Sequence, residues 1–162
     1  MTIHNILSKI IFLTFLSIAS VFTSCKDDDD KDPETVDTNE IVGRWELESA
    51  TPETAGTSIP ALALIPIAAP CAFDLKFTFL SNNTLTATDC ESAITALSTF
   101  GYLTVGQATT WKVENGMLTL TNGTATQSLP IKQNGDVMTL TVNTNTSGTG
   151  AAVNALLMFK RL

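Results

Sequence analysis

Histidine is nearly absent from this sequence: the single histidine of the 162 residues is His4, close to the N-terminus. Histidine is the commonest general base and a common metal ligand. Residues 5–162 therefore cannot form a Ser–His–Asp triad, a Cys–His pair or a histidine-ligated zinc site. We expect no catalytic residue, no metal and no cofactor, and we predict that the protein is not an enzyme.

Basic residues are also few, with nine Lys and Arg against sixteen Asp and Glu. Nucleic acids and anionic headgroups attract clustered basic side chains, so the sequence predicts no nucleic-acid partner. Most of the excess acid lies in residues 26–40, and such dense like charge predicts a solvated, flexible tether over residues 25–40. Two alternatives are weaker. A calcium loop would need a glycine and a terminal Glu, and an engineered tag would not be expected at this position.

The apolar run near the N-terminus, Ile10–Val21, is too short to cross a bilayer. It has 12 residues, whereas a spanning helix needs about 20. Lys9 precedes it, as the positive residue of a secretory signal does. We therefore predict a signal peptide over residues 1–24 rather than an N-terminal membrane anchor.

Cysteine is scarce, and its number, three, is odd. Phe22-Thr23-Ser24-Cys25 follows the apolar run directly and resembles a bacterial lipobox. The resemblance implies cleavage before Cys25 and acylation of its thiol, and each buried CH2 of an acyl chain would contribute about 0.8 kcal/mol to anchoring. Lys26 and the acids after it resemble the export signal of Bacteroidetes-type surface lipoproteins. That resemblance implies a lipid-anchored protein of the outer membrane, exposed at the cell surface.

With Cys25 assigned to lipid, Cys71 and Cys90 remain as an even pair. An exported protein meets oxidising conditions, so these two cysteines are candidates for a disulfide. The alternative is a reactive free thiol. No basic residue lies close in sequence to lower the pKa of either cysteine, which disfavours that alternative.

Residues 41–162 are rich in threonine and alternate between apolar and polar side chains, a pattern typical of strands. Asn-Gly pairs at 115–116, 122–123 and 134–135 mark hairpins, and Pro130 indicates an edge or bulge position. The fold class that follows is all-β: an eight-stranded antiparallel up-and-down barrel, with a two-sheet sandwich as the competitor. The predicted strands are 41–50, 73–80, 84–89, 108–114, 117–121, 124–132, 136–143 and 153–161.

Loop lengths predict a barrel with two different ends. The connections 81–84, 115–116 and 133–135 are tight and fall at one end. The long connections 51–72 and 90–107 fall at the other, where a Cys71–Cys90 bond would join them. Residues 59–67 carry too many prolines for a long helix and predict an apolar flap, whereas residues 91–100 predict a short helix that Gly101 ends, with Ile94, Leu97 and Phe100 sharing a face. These loops either plug the barrel or form a gate or contact surface.

Several short motifs, in this order, resemble the lipocalin-like domain of Bacteroidetes-type lipoproteins. They are Gly43-Arg44-Trp45, Cys71, Phe77-Thr78-Phe79, Asn82-Asn83-Thr84, Cys90, Trp111-Lys112-Val113 and Leu118-Thr119-Leu120. The resemblance covers residues 41–162 and implies a barrel with a ligand pocket. It also implies that Arg161, in the last strand, lies across Trp45 as a cation–π contact. Asn83 stands where the family has a turn glycine, and Asn can adopt the same backbone conformation.

The inward-facing aromatic residues are the candidates for a ligand cavity, and the alternative is that they simply fill the core. Asp89 is the one acid expected to point inward, near the open end, whereas Glu46 and Glu48 face solvent. These observations predict a non-catalytic binding module for a small hydrophobic ligand. The alternative is a protein–protein module with a filled barrel: an adhesin, an inhibitor or a subunit of a surface complex. The cavity candidates are Trp45, Phe77, Phe79, Asp89, Trp111 and Phe159.

Overall fold

The alternating segments form a closed barrel of eight antiparallel strands. The computed structural model describes residues 39–162, and the predicted signal peptide, Cys25 and nearly all of the predicted tether lie outside these residues. Each strand pairs with the next along the chain, and β1 pairs with β8 to close the barrel, which confirms the predicted up-and-down topology. The strands are β1 Gly43–Pro52, β2 Lys76–Phe79, β3 Thr84–Thr88, β4 Thr109–Glu114, β5 Met117–Asn122, β6 Ala125–Asn134, β7 Val137–Asn143 and β8 Asn154–Arg161.

The two ends of the barrel differ as the loop lengths predict. One end, here called the turn end, carries the tight connections 80–83, 115–116 and 135–136. Asn83 and Asn115 take positive φ angles of 62° and 52° in these turns, a conformation that Asn tolerates. The opposite end, here called the mouth, carries the first insertion, residues 53–75, and the second insertion, residues 89–108.

Arg161 closes the turn end together with the segment that precedes β1. Its guanidinium carbon lies 4.2 Å from the centre of the Trp45 ring, which confirms the expected cation–π contact. The same guanidinium donates hydrogen bonds to the carbonyls of Val42, at 3.0 Å, and Glu40. A Cβ at Gly43 would lie 2.6 Å from Arg161 Nη1, and the φ of Gly43 is +140°. Only glycine therefore lets the arginine lie flat against this strand.

The second strand is shorter than predicted. Instead of spanning 73–80, β2 begins at Lys76, and Ala72–Asp74 form a single 3-10 turn. The amide of Asp74 donates to the carbonyl of Cys71 at 2.8 Å, so the chain curls before it enters the sheet. As a result Phe73 is 47% exposed, whereas Leu75, Phe77 and Phe79 are buried. Cys71 must reach Cys90, and the turn that follows Cys71 interrupts the strand despite the alternating sequence pattern.

Pro130 lies inside β6 rather than at a sheet edge, because the barrel is closed. Residues Ala125–Pro130 pair with β5, and Ile131–Asn134 pair with β7. Pro130 therefore occupies the point where β6 changes its hydrogen-bonding partner, and there its missing N–H is tolerated. The expectation of an edge was wrong. An irregularity does occur elsewhere, between Leu47 and Ser49 in β1.

Candidate functional site

The aromatic residues predicted to line a cavity instead fill the turn-end half of the barrel. All five are buried. The Phe77 and Phe159 rings stack with centroids 5.0 Å apart, and the Phe79 and Trp111 rings meet edge to face at 5.5 Å. The Trp45 indole N–H donates to a main-chain carbonyl at 2.7 Å, and that of Trp111 does so at 3.1 Å. The geometry favours the packed-core interpretation, and none of the five lines the cavity described below.

Asp89 does not point into the barrel, and its assignment as an inward carboxylate was wrong. Its backbone has a φ of +71°, so the chain leaves β3 at this residue and the alternation of faces ends. Its side chain is 47% exposed and lies 3.2 Å from the Lys76 ammonium, which also contacts Glu46 at 3.4 Å. The hydrogen bond from the Lys76 ammonium holds the pKa of Asp89 below its ordinary value, and the same bond raises the pKa of Lys76.

A cavity of about 90 Å³ lies at the mouth instead. Its walls in the barrel come from β1, β7 and β8 and from Leu75, just before β2. Along β1 the inward side chains shrink from Trp45 at the turn end to Ala50 at the mouth, and along β8 they shrink from Phe159 to Ala155. Small side chains therefore leave space near the mouth, whereas aromatic rings fill the other half. The wall residues are Leu47, Ala50, Leu75, Val142, Thr144, Ala155 and Leu157.

The first insertion covers this cavity with two short helices, α1 (Pro60–Ala63) and α2 (Ile65–Ala68). Each helix has a proline in its first turn, where the missing N–H costs nothing, and Pro66 prevents α1 from continuing. Leu62 and Ile65 face the cavity. In contrast, Leu64 and Ile67 are 54% and 81% exposed. One face of the insertion therefore packs over the barrel mouth, and the other is exposed to solvent.

The second insertion forms the opposite wall. Helix α3 (Glu91–Thr99) confirms the predicted helix, and Gly101, with a φ of +68°, follows it. Ala93 and Leu97 face the cavity, as does Tyr102 beyond the helix. Phe100 does not share this face as predicted, because it lies past the end of the helix and is 59% exposed.

Gln127 in β6 holds the second insertion in place, a role that the sequence analysis missed. Its side-chain oxygen accepts from the Thr104 amide at 2.7 Å, and its side-chain nitrogen donates to the Tyr102 carbonyl at 2.9 Å. Leu103 and Val105 are buried on either side of this contact. The sequence did contain a signal for this role. Gln127 lies on the same face of β6 as the buried Leu129 and Ile131, so its polar side chain needs a hydrogen-bond partner.

Cys71 and Cys90 form the predicted disulfide, with Cα atoms 5.5 Å apart. Cys71 ends the apolar part of the first insertion, and Cys90 immediately precedes α3. The Ser92 hydroxyl lies 3.5 Å and 3.4 Å from the two sulfur atoms. The bond therefore ties together the two insertions that enclose the cavity.

The acidic side chains of β1 lie outside the barrel. Glu46 and Glu48 lie on the outer face of β1. Within residues 39–162, no three His, Cys, Asp or Glu side chains group closely enough to hold a metal ion. No helix of this part of the chain is long and apolar enough to cross a membrane.

Comparisons with known proteins add no identification. No protein-family model, no curated protein and no solved structure matches the chain.

Proposed function

We propose that this protein is a membrane-anchored surface lipoprotein whose barrel is a non-catalytic binding module for a small hydrophobic ligand. The observation that carries the proposal is the cavity at the mouth, enclosed by apolar side chains of three strands and both insertions. Concave apolar sites of this kind are typical of small-molecule binding. The lipocalin-like character of the barrel, suggested by the order of its motifs, supports the same function.

The lipid anchor is supported by the sequence around Cys25 alone. The test is to express the full chain in a Gram-negative bacterium and partition the extract between detergent and water. We expect the protein in the detergent phase, cleaved before Cys25 and with a mass increase from acyl chains, and we expect Cys25→Ser to lose that mass increase. A wild-type chain that carries no acyl mass would contradict the anchor and leave the ligand proposal untouched.

The ligand proposal is tested with two matched substitutions in α1. Ala61 lines the cavity, whereas Ala63 in the same helix is exposed. The chain from residue 25 onward, carrying Cys25→Ser, is purified and analysed by native mass spectrometry before and after delipidation. We expect a bound apolar molecule that Ala61→Leu displaces and Ala63→Leu retains. An unliganded mass, with no uptake from a panel of small apolar molecules, would contradict the proposal.

A second candidate function is binding of a protein partner at the mouth, as an adhesin, an inhibitor or a subunit of a surface complex. It is favoured by four large apolar side chains on the insertions that are about half exposed or more: Leu64, Ile67, Phe73 and Phe100. A photo-crosslinking residue at position 67, with one at the exposed Val137 of the turn end as control, would test it on intact cells. Crosslinks at 137 as frequent as those at 67 would contradict a partner site at the mouth.

A further inference from the structure

We infer that the cavity selects compact, uncharged apolar molecules and discriminates against carboxylates, fatty acids included. This inference rests on the proposed function and specifies its ligand class. It follows from three features of the mouth: the size of the cavity, the chemistry of its lining, and the charges around it.

The size of the cavity excludes a long acyl chain in the enclosed space. Its volume is about 90 Å³. Sites for drug-sized ligands are roughly 300–1,000 Å³, and an engineered protein cavity of about 150 Å³ accepts benzene. The barrel interior between the cavity and the turn end is not available to a ligand, because the aromatic side chains of that half already pack against one another. A ligand the size of a single ring or a five-carbon chain is near the upper limit and would need a small displacement of the first insertion.

The lining offers no charge to a ligand. None of the residues that enclose the cavity is Lys, Arg, Asp or Glu, and most are Ala, Leu, Ile or Val. Two carry a hydroxyl. That of Thr144 already donates to the Val153 carbonyl at 2.7 Å, and the other belongs to Tyr102. A buried ionic head group would therefore lose its hydration without gaining an ionic partner.

The charges around the mouth also disfavour a ligand whose chain enters the cavity while its carboxylate stays in solvent. The two insertions contain Glu53, Asp74, Asp89 and Glu91 but no Lys or Arg, and the remaining connections at this end, 123–124 and 144–153, carry no charge. The nearest basic residue in sequence, Lys76, begins β2, and its ammonium is already paired with Asp89 and Glu46. An anionic ligand thus meets the acidic side chains of both insertions, and the repulsion adds to the desolvation cost.

The experiment compares three probes that share a five-carbon chain: pentan-1-ol, pentanoate and pentylammonium at pH 7. Each is titrated into the chain from residue 25 with Cys25→Ser, and binding is followed by the methyl NMR signals of Leu62, Leu97 and Leu157, which line the cavity. We expect pentan-1-ol to shift these signals, with a dissociation constant at least tenfold higher for pentanoate. Pentylammonium should bind more weakly than pentan-1-ol, because its head group would lose hydration, but more tightly than pentanoate, which the acidic side chains repel. Palmitate should not shift them.

A pair of lysine substitutions tests the electrostatic part directly. Ala61→Lys places an ammonium at the cavity. Its side chain also takes up cavity volume, so the affinity for both probes should fall, but the affinity for pentanoate relative to pentan-1-ol is expected to rise by tenfold or more. Ala63→Lys places the same charge on the exposed side of α1 and should change that ratio less than threefold.

The outcomes distinguish a failure of this inference from a failure of the proposed ligand-binding function. Pentanoate binding as tightly as pentan-1-ol would overturn the inference and still support a ligand-binding barrel. If none of the probes shifts the cavity methyl signals of a folded protein, both the inference and the proposed ligand function fail.

Discussion

Arg161 links three parts of the turn end through one side chain. It lies over Trp45, donates to two carbonyls of the segment before β1, and approaches Asp136 at 3.7 Å. The contact with Trp45 was predicted from the resemblance of the sequence motifs to a lipocalin-like domain. The carbonyl contacts were not, since they depend on how the segment before β1 folds across the barrel end.

We predict that Arg161→Ala lowers the free energy of unfolding by about 2 kcal/mol, through loss of a cation–π contact and of charge-assisted hydrogen bonds. Urea denaturation measures this change. Lys160→Ala is the control, because Lys160 is the preceding residue and is exposed. It should change stability by less than about 0.5 kcal/mol. Equal effects of the two substitutions would contradict the role given to Arg161.

Asp89 and Lys76 form a pH-sensitive pair on the outer surface near the mouth. The hydrogen bond from Lys76 lowers the pKa of Asp89 from its ordinary value of 3.8. The stabilisation from Asp89 is therefore present above pH 3.8 and is lost as the pH falls through the lowered pKa. For Lys76, whose pKa is raised above 10.5, the stabilisation is present below pH 10.5 and is lost as the pH rises through the raised pKa.

We predict that Lys76→Met raises the pKa of the Asp89 carboxyl toward 3.8, because its main hydrogen-bond donor is removed. Carboxyl carbon NMR between pH 2 and 6 measures this pKa. Lys112→Met is the matched control: Lys112 pairs with Glu114 at 3.1 Å, so its loss should leave Asp89 unchanged. An Asp89 pKa that Lys76→Met does not alter would show that the ion pair is absent in solution.

The disulfide connects two elements that the strand pairing alone does not hold together. Residues 71 and 90 are 19 apart in sequence, and the bond closes this loop at the base of both insertions. The pairing was predicted from an even pair of cysteines flanking β2 and β3. The short 3-10 turn that brings Cys71 into reach was not, because the alternation at Phe73 and Leu75 imitates a strand.

We predict that Cys71→Ala together with Cys90→Ala lowers the free energy of unfolding by roughly 3 kcal/mol, the chain-entropy value for a loop of this length. Chemical denaturation with and without reductant measures the change. A reductant should shift the wild type by a similar amount and leave the double variant unaffected. Equal stability of the oxidised wild type and the variant would contradict this account.

The two insertions are held in different ways. From residue 57 to residue 69, the backbone hydrogen bonds that the structure shows join residues of the first insertion to one another. The second insertion is fixed to β6 by Gln127 through both Thr104 and Tyr102. Residues 57–69 of the first insertion therefore depend on apolar packing and on the attachment of the insertion at its two ends, and we expect this part to open more readily.

We predict faster amide hydrogen exchange at residues 61–69 than at Thr104, measured by NMR or mass spectrometry. Gln127→Met should increase exchange at Thr104, since it removes the acceptor of that amide. Ser128→Ala is the control, because the neighbouring Ser128 hydroxyl contacts Thr119 on the outer face. Slower exchange in residues 61–69 than at Thr104 in the wild type would contradict the difference in attachment.

The barrel is divided along its axis into a packed half and a half that contains a cavity. The strands, their order and their two unlike ends could be predicted, because alternation and Asn-Gly turns are local signals. The position of the cavity could not be predicted from aromatic content, which identifies the filled half. The better signal was the decline in side-chain size from Trp45 to Ala50 in β1 and from Phe159 to Ala155 in β8.

We predict that substitutions in the two halves have separable effects. Phe77→Leu, in the packed half, should lower the free energy of unfolding by about 1–2 kcal/mol and leave pentan-1-ol affinity within twofold. Ala155→Leu, in the cavity wall, should weaken pentan-1-ol binding at least tenfold while the protein remains folded. Calorimetry and denaturation of each variant measure both quantities, with Ala63→Leu on the exposed side of α1 as control. Loss of binding in Phe77→Leu would show that the halves are coupled.

Both ends of the described part of the chain, residues 39 and 162, lie at the turn end. Asn39 precedes β1 there, and the Leu162 amide donates to the Arg44 carbonyl at 3.0 Å. Any attachment made through either limit, whether a fluorescent protein, a sensor chip or the acyl chains proposed at Cys25, therefore joins the barrel at the end opposite to the cavity. β1 alone spans ten residues at about 3.3 Å each, so roughly 30 Å of strand separates the junction from the opening. An immobilised protein should consequently take up small molecules from the surrounding medium as freely as one in solution.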